Sequence, residues 1–300
     1  MDTGASSSTI PNFDSGFPVG FAFMKTFASS GDWYTGARLL LERYVKTNSS
    51  DAAADWGGGF DWDSNVGWLK SSATSAWQSW MWKRGAGFDV ATYKGNGTGG
   101  HPISHSLNKT PEMIWVKNRT SSGNTGDWMV GHKDLYGGSS PWNGYLVLNK
   151  TQQQYADQKP FYNVAPTSTV FTLDGWDRVN ANGSSYIAIL FASANDANGN
   201  PISKVGSYTG NASSSGPTIT LGFAPRFIII KCASVGGTNW FVYDTLRGLT
   251  SGNDQRIYLN TNGTQTSADD IDPSSTGFQV VTSWDQLNDN NANYIYYAHA

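Results

Sequence analysis

Short apolar runs alternate with clusters of Gly, Asn, Ser and Asp along the whole chain. The runs at 114–116, 128–130, 145–148, 186–191, 226–230, 240–243 and 294–297 are strand-length and rich in β-branched and aromatic residues. Bounded by turn-forming residues, they predict strands of an all-β sandwich or barrel. Amphipathic helical periodicity is nearly absent. The best helix candidate is residues 37–45, which lacks a good N-cap.

The same motifs recur in the same order. Tyr93-Lys94-Gly95-Asn96 returns as Tyr208-Thr209-Gly210-Asn211. "PEMIWVK", ending at Lys117, returns as "PRFIIIK", ending at Lys231, and "FPVGFAFMK" ends alike at Lys25. "DWMVGH" at Trp128 matches "NWFVYD" at Trp240, and Asp32-Trp33 opens a third such segment. The strand from Tyr186 matches the one from Tyr294, and "QSWMWK" at Gln78 stands in the same place. Trp68, Trp176 and Trp284 lie 108 residues apart twice over. An ordered series of this kind predicts three homologous β-sandwich-like repeats in tandem, at 3–86, 87–201 and 202–300. "TGASSST" at Thr3 resembles "TGNASSSGPT" at Thr209, inside the third segment. The first repeat is therefore expected to start within its motif, and the chain to be part of a longer polypeptide.

Composition narrows the function. Charged residues make up 14% of the chain, against about 25% in ordinary soluble proteins. A formal charge of −3 with no Lys/Arg cluster leaves no electrostatic footprint for nucleic acid. Aromatic content of 14%, including 13 Trp, excludes a disordered chain. No apolar run reaches the ~20 residues of a membrane span. The N-terminus has neither the basic nor the apolar region of a secretory signal. Cys232 is the lone cysteine and has no partner for an internal disulfide. A viral structural protein, made in the cytoplasm and released by lysis, reconciles a polar uncharged surface with these features.

"YKGNGTGGHPISHSLNKTPEMIWVK", "APTSTVFTLDGWDRVNANGSSYIAILFA" and "KVGSYTG" followed by "TITLGFAPRFIIIK" resemble a repeat domain of unknown molecular function. That domain occurs in tail and fibre proteins of bacteriophages, especially marine and cyanobacterial ones. "GARLLLERYVKTNSS" and "QSWMWKRGAGFDV" fit the same pattern, so the resemblance spans nearly the whole chain. It implies a virion role in the tail or fibre, exposed on the particle surface, with other tail proteins and a host-surface glycan or receptor as partners. It supplies no catalytic residue. Phage fibres are commonly trimers, whereas three internal repeats would replace three chains, so oligomeric state stays open. Trp68, Trp176 and Trp284 depart from the family, which often has small or acidic residues there.

Candidate binding residues follow from chemistry. Trp176 and Trp284 each precede Asp and Asn (Asp177 and Asn180, Asp285 and Asn288) and an Asn/Gly-rich turn. A tryptophan at a loop mouth beside polar groups suits sugar stacking, although repeated positions also encode fold. Trp142, in "GGSSPWNG", lies in a segment without counterpart in the other repeats, and inserted loops tend to carry function. The carboxylates Asp61/Asp63 and Asp269/Asp270/Asp272 are close enough in sequence to share solvated turns rather than a catalytic cleft. His101 and His105, beside Pro102, are too far apart in an extended stretch to chelate, and "DANGN" at Asp196 lacks the rest of a calcium loop. The expectation is a protein without catalytic residue, metal or cofactor. A structural spacer or capsid decoration is the rival to host recognition, and a polysaccharide depolymerase the enzymatic alternative.

Overall fold

The computed structural model describes residues 1–300, and the architecture is all-β with antiparallel pairing throughout. Three large sheets dominate. The first has six strands, in the order Asp2–Thr3, Trp77–Trp82, Phe21–Thr26, Tyr34–Ala37, Arg43–Lys46 and Ala54–Asp55. The second has five, in the order Phe88–Lys94, Ser185–Phe191, Met113–Asn118, Trp128–His132 and Leu146–Val147. The third has seven; its central five are Pro201–Thr209, Asn293–His299, Phe227–Cys232, Trp240–Asp244 and Asp254–Tyr258. Opening and closing strands of each segment pair with one another, and the "PEMIWVK" and "PRFIIIK" strands hold the same place in their sheets. Smaller sheets accompany them: Phe13–Asp14 with Gly67–Lys70 and Phe60–Asp61, His101–Ser104 with Val170–Leu173, and Thr218–Thr220 with Gly277–Val280 and Ile271–Ser274.

Both faces of the large sheets are buried, which is why their central strands read as unbroken apolar runs rather than alternating ones. Along Met113–Asn118, Met113 and Trp115 enter one core and Ile114 and Val116 another. Along Phe227–Cys232, Phe227 and Ile229 point inward, while Ile228, Ile230 and Cys232 point outward. The outward residues close three separate cores with the small sheets, each a sandwich-like unit. The inward residues of all three sheets merge into one central core of 30 buried residues. Ring contacts cross every seam: Phe21–Phe88 at 5.5 Å, Phe23–Phe227 at 6.1 Å and Phe191–Tyr297 at 4.7 Å. The sandwich-like, all-β character expected from the sequence is present on the outer faces, and the inner faces share one core.

A closed cycle of hydrogen bonds fastens the sheets. Trp33 Nε1 donates to Tyr258 O at 2.8 Å, Trp128 Nε1 to Lys46 O at 2.8 Å, and Trp240 Nε1 to Val147 O at 3.2 Å. First sheet thus grips third, second grips first, and third grips second. The backbone N–H of each tryptophan is held by an asparagine Oδ1, from Asn48, Asn149 and Asn260. Lys25, Lys117 and Lys231 end the three inward rows and are fully buried. Each gives its ammonium to backbone carbonyls instead of a carboxylate: Lys25 to Gly31 and Asn262, Lys117 to Gly126, Lys231 to Thr151 and Thr238.

Residues 37–45 form no α-helix. They finish one strand, turn through a 3-10 segment at Arg38–Leu40 and begin the next, Arg43–Lys46. Pairing of Gly36 with Tyr44 and burial of Val45 in the central core override local helix propensity. No helix is long and apolar enough to cross a membrane.

Candidate functional site

The Tyr-x-Gly-Asn motifs are staples for two one-turn helices, Asp177–Asn180 and Asp285–Asn288. Tyr93 stacks on Tyr186 at 5.0 Å and donates its hydroxyl to Val179 O. Tyr208 stacks on Tyr294 at 4.8 Å and donates to Leu287 O. Glycine follows because the helix backbone passes so close: a Cβ at Gly95 would lie 2.1 Å from Ala181 O, and one at Gly210 2.2 Å from Asp289 O. The last member closes the staple, with Asn96 N donating to Asn180 Oδ1 and Asn211 N to Asn288 Oδ1.

Each helix starts from a half-buried tryptophan. Trp176 leans on Tyr145 at 5.4 Å under the guanidinium of Arg178 at 4.7 Å. Trp284 meets Phe241 edge-on at 5.6 Å under Arg256 at 4.5 Å. Asp177 and Asp285 are exposed beside them. Asn180 and Asn288, expected as sugar ligands, are fully buried and spent on the staple. Asn180 Nδ2 donates to Asn96 Oδ1 and Thr98 O, while Asn288 Nδ2 donates to Ser213 O and Thr282 O. Trp68 does not share the place of Trp176 and Trp284 despite the equal spacing. It sits in the strand Gly67–Lys70, buried and stacked on Trp62 at 4.7 Å, opposite Phe13.

Acidic groups beneath Trp284 are more buried than their sequence neighbourhood predicts. Asp269 is exposed, but Asp270 is buried, ion-paired with Arg256 at 2.7 Å and accepting from Tyr243 Oη at 2.9 Å. Asp254 is also buried, and burial pushes its carboxyl up to about 7 despite hydrogen bonds from the backbone of Ile271 and Asp270. Asp61 and Asp63 are exposed, with Asp61 capping a turn at Asp63 N. Asp196 does likewise for Asn198 and Asn200. No three His, Cys, Asp or Glu side chains converge as a metal site would require.

Trp142 lies in a short 3-10 segment, Pro141–Asn143, and is 6% exposed. Its ring meets Phe161 edge-on at 5.7 Å and covers Gly131, where a Cβ would fall 2.8 Å from the indole. It does not project from a loop tip. Instead it lines a cleft of about 350 Å³ walled by Lys109, Glu112, Lys133 and Ser193. Lys133 pairs with Glu112 at 2.7 Å, and Ser193 N donates to the other Glu112 oxygen at 2.5 Å. Burial alone would raise the Glu112 carboxyl, but those partners hold it below the usual range. The result is an aromatic wall with fixed polar groups of both signs. Sequence reasoning passed over Lys109, Glu112 and Lys133. The signal was there: three charges flank short apolar strands in a chain that has few charges at all.

No curated protein and no solved structure matches the chain. Residues 61–300 match the model of a family described as a domain of unknown function (DUF7483), and the chain belongs to that family.

Proposed function

We propose that the chain is a bacteriophage virion module, from a tail fibre or tail tip, that recognises a glycan on the host surface. Three copies of one unit, at 3–86, 87–201 and 202–300, would build it. The common strand order of the three large sheets and the cyclic Trp33, Trp128 and Trp240 hydrogen bonds support that reading. A molecule already threefold in its interior carries its multiplicity within one chain.

The observation that carries the glycan reading is the Trp142 cleft. The exposed edge of the mostly buried Trp142 indole gives the cleft an apolar wall, and Lys109, Glu112 and Lys133 line it with polar groups that would exchange their present partners for sugar hydroxyls. Trp176/Asp177 and Trp284/Asp285 are the accessory positions, each pairing a half-exposed indole with a free carboxylate. One stacked sugar with a few hydrogen bonds gives affinity of about millimolar. Several such points acting together on one surface raise it ~100-fold or more.

The test is binding of the chain to susceptible cells and to resistant mutants lacking the surface glycan. Glu112→Gln with Lys109→Ala should weaken cell binding at least about tenfold while leaving the unfolding midpoint within a few degrees. Trp176→Ala with Trp284→Ala should give a smaller loss. No binding to either cell type would instead favour a spacer or decoration protein, and equal binding to glycan-deficient cells would refute the glycan reading in favour of another receptor. Release of reducing ends from the purified glycan would favour a depolymerase.

A further inference from the structure

Ala165 and Pro166 line the Trp142 cleft, and the chain reaches them through a turn at 160–163. Phe161 anchors that turn, buried and edge-on to Trp142 at 5.7 Å. The next residue, Tyr162, has a φ of +55°, and Asn163 one of +53°. Asparagine enters this left-handed region readily, whereas a bulky tyrosine enters it against a steric cost. Burial does not offset that cost, because Tyr162 stays 44% exposed. A strained, exposed ring beside a cleft points to use of the ring.

The floor beneath Tyr162 is glycine. A Cβ at Gly99 would lie 3.0 Å from Cε2 of the ring and one at Gly100 3.5 Å from Cε1, so the ring lies across both residues. Counted from the Tyr-x-Gly-Asn motif, residues 202–300 place Ser214 and Ser215 at those positions, and 260–276 hold no aromatic residue. The ring and its floor, like Trp142, have no counterpart there. Asp174 stands alongside: the same Cβ at Gly99 would lie 3.0 Å from its Oδ1. That oxygen accepts from the adjacent Gly175 N–H at 2.7 Å, and Asp174 enters none of the protein's ion pairs. An exposed ring beside a free carboxylate pairs an apolar face with an acceptor for hydroxyls.

Given glycan recognition at the cleft, on which this rests, we propose that Tyr162 with Asp174 is a second sugar-stacking position continuous with it. The ligand is then an internal stretch of a linear polysaccharide rather than one terminal sugar. The three steps from Tyr162 to Ala165 span at most ~11 Å, which puts the ring within reach of a ligand several linked sugars long. A single sugar would occupy the cleft and leave Tyr162 idle.

Surface polysaccharide purified from susceptible cells, partly hydrolysed into size-graded fragments and titrated calorimetrically into the full chain, provides the test. Wild type should bind hexasaccharides at least about tenfold more tightly than disaccharides. Tyr162→Ala should cut that ratio to below about threefold, and Tyr162→Phe, which keeps the ring, should restore it. A purely structural role would weaken both lengths alike and leave the ratio as in wild type. An undiminished ratio in Tyr162→Ala, equal loss in Tyr162→Phe, or no length dependence in wild type would overturn the proposal while leaving glycan recognition standing. Absence of binding to every fragment would overturn both.

Discussion

Lys231→Met isolates the cost of keeping an ammonium in the seam between the second and third sheets. Lys231 is fully buried and its Nζ meets only neutral oxygens: Thr151 O at 3.2 Å, Thr238 O at 2.6 Å and Thr238 Oγ1 at 2.6 Å. Burial lowers its pKa from 10.5 to about 7, while Lys25 and Lys117 fall to about 8. Between those values and 10.5 the unfolded chain binds more protons than the folded one, so stability must rise with pH across that window. Below it the full charging cost remains. For Lys231 the gain between pH 7.5 and 9.5 has a ceiling of about 2–3 kcal/mol, and for all three lysines about 6 kcal/mol. Stopping at pH 9.5 avoids the buried phenols of Tyr93, Tyr208 and Tyr243, pushed up by burial, which lower stability once the pH exceeds about 10. The assay is urea unfolding followed by tryptophan fluorescence at both pH values, for wild type and variant. Methionine removes the Nζ donor from Thr238 O and Thr238 Oγ1 and one of two donors from Thr151 O, which keeps the Thr238 N–H; this shifts absolute stability but not its pH slope. The variant's gain should be smaller than that of wild type by about 1–3 kcal/mol. A slope equal to wild type would refute the assignment of that cost to Lys231.

Trp33→Phe, Trp128→Phe and Trp240→Phe each remove one clasp bond, while Tyr258 O and Val147 O keep backbone donors from Thr261 and Lys150, so urea unfolding should show losses of about 0.5–1.5 kcal/mol at each. Gly95→Ala and Gly210→Ala drive a Cβ into the helix backbone and should cost about 1–3 kcal/mol each, read as a lowered thermal midpoint. Asp254→Asn should flatten one part of the acid profile. The folded-state value of about 7 exceeds the ordinary 3.8, so this group's contribution is present below pH 3.8 and lost as pH rises to about 7. Comparing wild-type and variant stability at pH 4.5 and 7 checks it, with the wild type losing more on the way up.

Strand positions were legible in the sequence because period and punctuation are local. The runs at 113–118, 128–132, 185–191, 227–232, 240–244 and 293–299 fall where apolar residues meet turn-forming clusters. The Tyr-x-Gly-Asn motif was visible as a recurrence, but its purpose depended on a helix turn 84 residues away in one copy and 77 in the other. Equal spacing misled at Trp68, since counting residues cannot register that the loop after Gly67–Lys70 omits the helix turn present after Val170–Leu173 and Gly277–Val280. The same limit applied to Asn180 and Asn288, polar in sequence and buried in the fold. Residues 37–45 carry a helical composition, yet long-range strand pairing outweighs a preference worth only tenths of a kcal/mol per residue.

The shared core was decided by tertiary structure alone. An unbroken apolar strand announces that both its faces are covered, but not by what. "FIIIK" reads the same whether its inner face meets its own second sheet or the sheets of two distant segments. Phe23 finds Phe227 and Phe191 finds Tyr297 across separations that no local pattern spans. The Trp142 cleft shares that origin, being a gap left where separate segments of chain meet. The sequence determined what each strand was made of and which faces had to be dry. Only packing in three dimensions determined which partners dried them, because burial is set by neighbours in space and the chain encodes neighbours in order.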